Sequence, residues 1–199
     1  LGIPVPGLEV RLINSETKEE VEIGEIGVLQ LSGLPVMMRY HKNESETKKV
    51  IYFDEDGKRW LDTGDCLSKD ADGFYKYHGR EKRNFVSGCD NIYPERLEQF
   101  LPTIPGVREA VVVPFPLDLE QNTPVYYISL GIGDINVDAL EFKIKKVVKK
   151  RFGDSWKPEK IIFTNEPLKR MTSGKIDLKY YVDSCKQLGG ITRSRKSSS

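Results

Sequence analysis

The sequence predicts an α+β protein in two modules, a β-rich front and a mixed α/β back, on three observations. Up to about residue 80, apolar residues alternate or cluster in short β-forming runs, with Gly, Asn and Asp between them. From Pro94 onward, stretches with apolar residues at i, i+3 and i+4 alternate with strand-like runs. The change of character falls between Glu81 and Asn84, where the joint between modules is expected.

In the front module, VRLI, GVLQLSG and VIYF read as strands. EDGKRWLDTGD and SKDADGFYKYHGR each hold an Asp-Gly turn between strand-like runs, a strong hairpin signal. No amphipathic helix is expected here. LDTGD, ending at Asp65, reads by itself as a turn between strands. A carboxylate fixed on such a turn can also accept two hydrogen bonds from a vicinal diol, the shape of a ribose.

In the back module, PERLEQFL opens with Pro94 at a helix entry and aligns Leu97, Phe100 and Leu101 on one face. REAVVVPF and PVYYISLGI read as strands. Asp138 is the expected N-cap of a helix whose stripe is Leu140, Ile144, Val147 and Val148, ending before Gly153. KIIFTNEPL is a strand, and IDLKYYVDSCKQ a last helix closed by Gly189 and Gly190. The tail after Ile191 has no apolar residue and is expected to be disordered.

Composition narrows the function classes. Hydrophobic residues at 38% and charged residues at 31% are those of an ordinary globular protein. Lys+Arg at 31 against Asp+Glu at 30 leaves a net charge of +1, which argues against a nucleic-acid or membrane-surface binder. Cys66, Cys89 and Cys185 lie far apart and form neither a metal spacing nor a disulfide framework, so a cytoplasmic location is expected. His41 and His78 lack partner spacings for a metal. No apolar run reaches the ~18 residues of a membrane span. The chain opens inside a strand-and-turn pattern without an initiator Met, and so reads as a piece of something longer. The basic run from Lys143 to Arg151 reads as the solvated face of a helix, with cations suited to its C-terminal end.

Lys175 stands apart from the other lysines because it follows Ser173 and Gly174. Glycine admits a positive φ and leaves nothing bulky beside its neighbour, so the lysine can be presented to an anion. The Walker phosphate loop does not fit: Lys169 occupies the place of its first glycine and Ile176 that of its Ser/Thr.

Taken in order, PVPGLEVRLIN, GEIGVLQLSG with VMMRYHKN, WLDTGD, HGREK, VSGCDNIYPERLE and TSGKID resemble one family. That family is the AMP-forming acyl-CoA synthetases, which also include nonribosomal adenylation domains and firefly luciferase, and the resemblance is to their C-terminal part. It runs from about Leu1 to Tyr181. It implies that residues 1–82 are the barrel-like C-terminal β subdomain of a large adenylation domain. Residues 83–190 would be a small mobile lid, and 191–199 a disordered tail. It also implies an ATP-dependent ligase of fatty acid metabolism. Such an enzyme turns a carboxylic acid into an acyl-adenylate with ATP and Mg2+, then passes the acyl group to coenzyme A.

The resemblance assigns Asp65 to the ribose hydroxyls of the nucleotide and Arg80 to the ribose and the interdomain joint. Lys175 is then the catalytic cation between carboxylate and α-phosphate, Arg83 the hinge, and Ser87, Gly88 and Cys89 the coenzyme A passage. The phosphate loop, metal ligand and acyl pocket are implied to lie upstream of Leu1. The N-terminal part of the same large domain is therefore an implied partner, and the piece alone is expected to be inactive. Three positions depart from the family pattern. Arg83 stands where Asp or Lys is usual, Cys89 replaces a glycine and so narrows the passage, and Arg96 replaces a glutamate, expected as a surface change. Two other readings stand beside this one. An adenylation domain loading a carrier protein is suggested by Asp177 and by Leu188-Gly189-Gly190. The other is a noncatalytic homologue serving as a binding module, against which the set Asp65, Arg80 and Lys175 argues.

Overall fold

The computed structural model describes residues 2–116 and 122–196. The chain forms two compact units, Leu1–Arg83 and Asn84–Ser199.

The first unit is an antiparallel sheet built around one long strand. Strands β1 (Leu8–Ile13) and β2 (Ile26–Gly33) pair in order, and β2 pairs with β4 (Arg59–Lys69). The other edge of β4 is shared by β3 (Ile51–Phe53) at its start and β5 (Tyr75–Arg80) at its end. The sheet stays open, with no closed barrel among the described residues. Alternation sends Val28, Gln30 and Ser32 inward, beside Leu12, Trp60, Cys66 and Leu67. Both Asp-Gly hairpins form, with Gly57 N donating to Asp54 O and Gly73 N to Asp70 O, each at 3.0 Å.

One helix in this unit was not expected: α1 (Glu44–Val50). It buries no residue, so it leaves no apolar stripe to read. Its start was legible, because Asn43 Oδ1 accepts from Glu46 N at 3.2 Å in an Asn-x-x-Glu capping arrangement.

The second unit opens with a hairpin of β6 (Phe85–Ser87) and β7 (Asp90–Ile92), followed by α2 (Pro94–Phe100). Strands β8 (Val107–Pro116) and β9 (Asn122–Leu130) pair antiparallel. The helix α3 (Val137–Phe152) then crosses to β10 (Lys160–Thr164), which is parallel to β9 as such a crossover allows. The helix α4 (Leu178–Lys196) ends the described chain. Residues of β8 and β9 alternate between two cores. Ala110, Val112, Tyr126 and Ile128 pack with Leu97, Leu101, Leu140, Ile144, Val148 and Trp156. Val111, Val113, Val125 and Tyr127 pack with Leu168, Tyr181 and Cys185. A sheet covered on both faces explains why both strands read as nearly continuous apolar runs.

Two boundaries differ from expectation. The N-cap of α3 is Asn136, whose Oδ1 accepts from Ala139 N at 3.0 Å, and Asp138 sits in the first turn instead. The helix α4 continues through Gly189 and Gly190 to Lys196, where the glycine pair was expected to close it. Glycine costs a helix about 1 kcal/mol relative to alanine without forbidding the conformation, so a pair weakens the helix rather than ending it. Of the tail expected to be disordered, 191–196 thus follow a helical path, and 197–199 lie outside the described residues. The basic run on α3 lies on its outward face, with Lys145 paired to Glu141 at 2.6 Å and Lys149 to Asp154 at 2.8 Å.

Candidate active site

In the first unit, the Thr-Gly-Asp segment is a bulge within β4, not a turn between strands. Asp62 pairs with Gln30 and Cys66 with Val28, so Thr63, Gly64 and Asp65 together face Leu29 alone. The extra residues are held by local bonds. Gly64, at φ 66°, donates its N–H to Asp62 Oδ1 at 2.9 Å. Asp65 N donates to Thr63 Oγ1 at 3.1 Å, and that hydroxyl donates to Leu29 O at 2.9 Å. Behind the bulge, buried Gln30 reaches Asp62 Oδ2 at 3.5 Å and accepts from Arg11 Nε at 2.9 Å. The Arg11 guanidinium lies 3.9 Å from the centre of the Trp60 ring.

Asp65 and Arg80, both singled out from sequence, are direct partners across the β4–β5 ladder. Arg80 Nε lies 2.9 Å from Asp65 Oδ1, and Arg80 Nη1 donates to Thr63 O at 2.9 Å. One guanidinium therefore fixes both the carboxylate and the bulge that carries it. A carboxylate holding one such bond keeps acceptor capacity on its other oxygen.

In the second unit, Lys175 sits on a tight hairpin, with only Ile176 and Asp177 between it and the start of α4 at Leu178. Arg170 and Ile176 form a bridge, Met171 N donates to Lys175 O at 2.8 Å, and Gly174 N donates to Met171 O at 2.9 Å. Gly174 has φ 80°, and a Cβ there would meet nothing within 4 Å. The requirement for glycine is thus conformational, not one of space. Asp177 then caps α4 by accepting from Tyr180 N at 3.1 Å. The Lys175 side chain is exposed, and its ammonium has no ion-pair partner among the described residues.

Arg83 ends a 3-10 turn, Glu81–Arg83, and is the last residue of the first unit. Gly88 and Cys89 form the two-residue loop between β6 and β7. The positive φ of 59° belongs to Gly88, whereas Cys89 is not among the positive-φ residues. That fits a type II′ hairpin turn and leaves Cys89 unstrained. Ser87 Oγ donates to Ser155 O at 3.0 Å, and a Cβ on Gly88 would lie 3.2 Å from Ser155 Oγ. The Cys89 thiol is exposed.

Residues 96–175 match the AMP-binding enzyme C-terminal domain family. The chain is 34% identical over 178 residues to the putative acyl-CoA synthetase YngI of Bacillus subtilis, an alignment that covers 88% of this chain and 30% of that protein. It is 33% identical over 177 residues to the mitochondrial medium-chain acyl-CoA ligase ACSF2 of Bos taurus, covering 88% of this chain and 27% of that protein. The anthranilate CoA ligase AuaEII, solved in complex with anthranoyl-AMP, superposes with a TM-score of 0.80 at 28% identity, covering 95% of this chain and 35% of that one. The chain belongs to the adenylate-forming ligase family. It spans less than a third of the length of the two curated relatives, at 30% and 27%.

Within the family-matched segment, Arg96 corrects one expectation. It is not a plain surface change but a half-buried guanidinium over the rings of Phe152 and Trp156, at 5.5 and 5.3 Å. Burial pushes its pKa below the usual guanidinium range, and the Arg151 charge adds to that. No group of three or more His, Cys, Asp or Glu able to hold a metal occurs among the described residues. No helix is long and apolar enough to cross a membrane among the described residues. Sequence reasoning missed the residues that brace the Lys175 hairpin, namely Glu109, Arg170 and Tyr181. The last accepts from Lys169 N at 2.6 Å. Glu109 is the one carboxylate in β8, but Arg108 beside it makes the strand's head read as ordinarily charged.

Proposed function

We propose that this chain is the C-terminal portion of an AMP-forming carboxylate–CoA ligase. The observation that carries the reading is the exposed ammonium of Lys175, without an ion-pair partner among the described residues, on a braced hairpin. In the first half-reaction, a substrate carboxylate oxygen attacks the α-phosphorus of ATP and pyrophosphate leaves, giving acyl-adenylate. Two anions must meet, and a cation between them offsets their repulsion and stabilises charge on the transferring phosphoryl oxygens. Lysine suits that task as a compact point charge that gives up no proton. Asp65, held by Arg80, accepts hydrogen bonds from the ribose hydroxyls and sets where the nucleotide lies. In the second half-reaction, the thiol of coenzyme A attacks the acyl carbon and AMP leaves. Arg83 is the hinge about which the second unit turns, withdrawing Lys175 and presenting the Ser87-Gly88-Cys89 loop to the thiol's path. Movement of this kind gates catalysis.

Similarity to an acyl-CoA synthetase and an acyl-CoA ligase supports the thiol acceptor. Asp177, which leaned toward a carrier-loading domain, is accounted for as the cap of α4. Apolar side chains on the first unit, Leu34 at 99% and Met38 at 82% exposure, support docking against the N-terminal part of the same large domain. The phosphate loop and acyl pocket belong to that part, so the piece alone should release no pyrophosphate. The test is carboxylate-dependent ATP–pyrophosphate exchange by the full-length protein over a panel of acids, followed by thioester formation with and without coenzyme A. Exchange with CoA-dependent thioester supports the reading, and exchange that never yields a CoA thioester overturns its second half.

A further inference from the structure

Lys175 carries its charge on a flexible stem, so its usefulness depends on where the backbone beneath it is held. Of the side chains that brace that backbone, Glu109 and Arg170 act as a linked pair, and neither belongs to the Ser-Gly-Lys segment. Glu109 lies in β8 just past a register shift against β9, where Val107 faces Leu130 and Glu109 faces Ser129. One of its oxygens, Oε1, accepts from Leu168 N at 2.8 Å, at the base of the hairpin. The other forms an ion pair with Arg170 Nη2. Arg170 in turn donates from Nη1 to Gly174 O at 3.0 Å, the carbonyl of the residue immediately before Lys175. A carboxylate on the sheet thus reaches both ends of the hairpin, directly at one and through a guanidinium at the other.

We propose that Glu109 and Arg170 are positioning residues for Lys175, fixing the hairpin so that its ammonium meets the reacting phosphoryl group. The proposal rests on the reading of Lys175 as the adenylation cation. Only a guanidinium fits the middle place, because its planar fork offers donors in two fixed directions where an ammonium offers one point. The pair does little for stability. Its side chains are 46% and 20% exposed, and pairs of that kind contribute little to folding. Geometry is where its effect falls, since a misplacement of about 1 Å at a reacting centre can cost about 10²-fold in rate.

The test uses the full-length ligase and measures its half-reactions separately in Glu109→Gln, Arg170→Gln, Arg170→Lys and Lys175→Ala. Glutamine at 109 keeps an acceptor for Leu168 N while removing the charge that holds Arg170. The expected result is a fall of about 10- to 10²-fold in kcat for carboxylate-dependent pyrophosphate exchange in both Gln variants, with KM for ATP nearly unchanged. Arg170→Lys should fall between wild type and Arg170→Gln. Thioester formation from supplied acyl-adenylate and coenzyme A should keep its wild-type rate, which a general loss of structure would not allow. If Glu109→Gln fails to fold, Arg170→Gln, whose side chain is half exposed, decides alone. Unchanged exchange in Arg170→Gln, or an equal loss in both half-reactions, overturns the positioning role. If Lys175→Ala also leaves exchange intact, it is the reading of Lys175 that has failed, and with it the basis for any positioning.

Discussion

Asp65 and Arg80 face each other in register across β4 and β5, and the guanidinium that binds the carboxylate at 2.9 Å also holds the carbonyl of Thr63. A half-exposed pair of this kind adds about 0–1 kcal/mol to stability. Its work is to aim Asp65. Arg80→Met should therefore lower Tm by no more than a few degrees while raising KM for ATP about 10-fold in the full-length enzyme, the equivalent of one lost hydrogen bond of about 1.4 kcal/mol. A large loss of Tm with KM intact would make the pair structural.

Gly174 tests the hairpin from the other side. Its φ of 80° strains any residue with a Cβ, yet the space around it is open. Asparagine tolerates such a backbone better than most residues and valine hardly at all. Gly174→Asn should retain most adenylation activity, and Gly174→Val should lose at least about 10-fold in kcat, with a stability cost of about 1–2 kcal/mol. Equal activities in the two variants would show that the turn conformation does not matter.

The three thiols should separate cleanly. Cys89 is exposed on the β6–β7 loop, while Cys66 and Cys185 are buried. A maleimide should label Cys89 first and leave the others until the chain unfolds. Labelled in this way, the full-length enzyme should form acyl-adenylate normally but transfer it to coenzyme A slowly, and Cys89→Gly should transfer at least as fast as wild type. Unimpaired transfer after complete labelling would remove Cys89 from the passage.

Burial pushes the Cys185 thiol up to about 11 from an ordinary 9.0. Because the folded form keeps its proton where the unfolded form has lost it, this group's contribution is full below pH 9.0 and is lost as pH rises to about 11. Burial also raises Tyr126 and Tyr127 above the usual phenol range, in the same direction. The urea midpoint should therefore fall steeply between pH 9 and 11, and the slope should be shallower in Cys185→Ala. Equal slopes would mean that Cys185 is not protected by its packing.

Much of this was legible in the sequence because periodicity and turn chemistry are local. The Asp-Gly hairpins and the α3 stripe of Leu140, Ile144 and Val148 follow from residues a few positions apart. What escaped depends on partners far along the chain or on burial. The helix α1 buries nothing and so has no stripe. The Thr-Gly-Asp segment looks like a turn until Leu29 is seen to face its three residues. Arg96 looks like a surface residue until Phe152 and Trp156 come beneath it. The link from Glu109 to Arg170 spans 61 residues, and no local pattern announces it.

The central claim is tested most directly by Lys175→Ala in the full-length protein, with each half-reaction measured alone. Removing a preorganised cation of this kind should cost about 10²–10³ in the rate of carboxylate-dependent ATP–pyrophosphate exchange. Thioester formation from supplied acyl-adenylate should proceed as in wild type. Exchange at the wild-type rate would contradict the account.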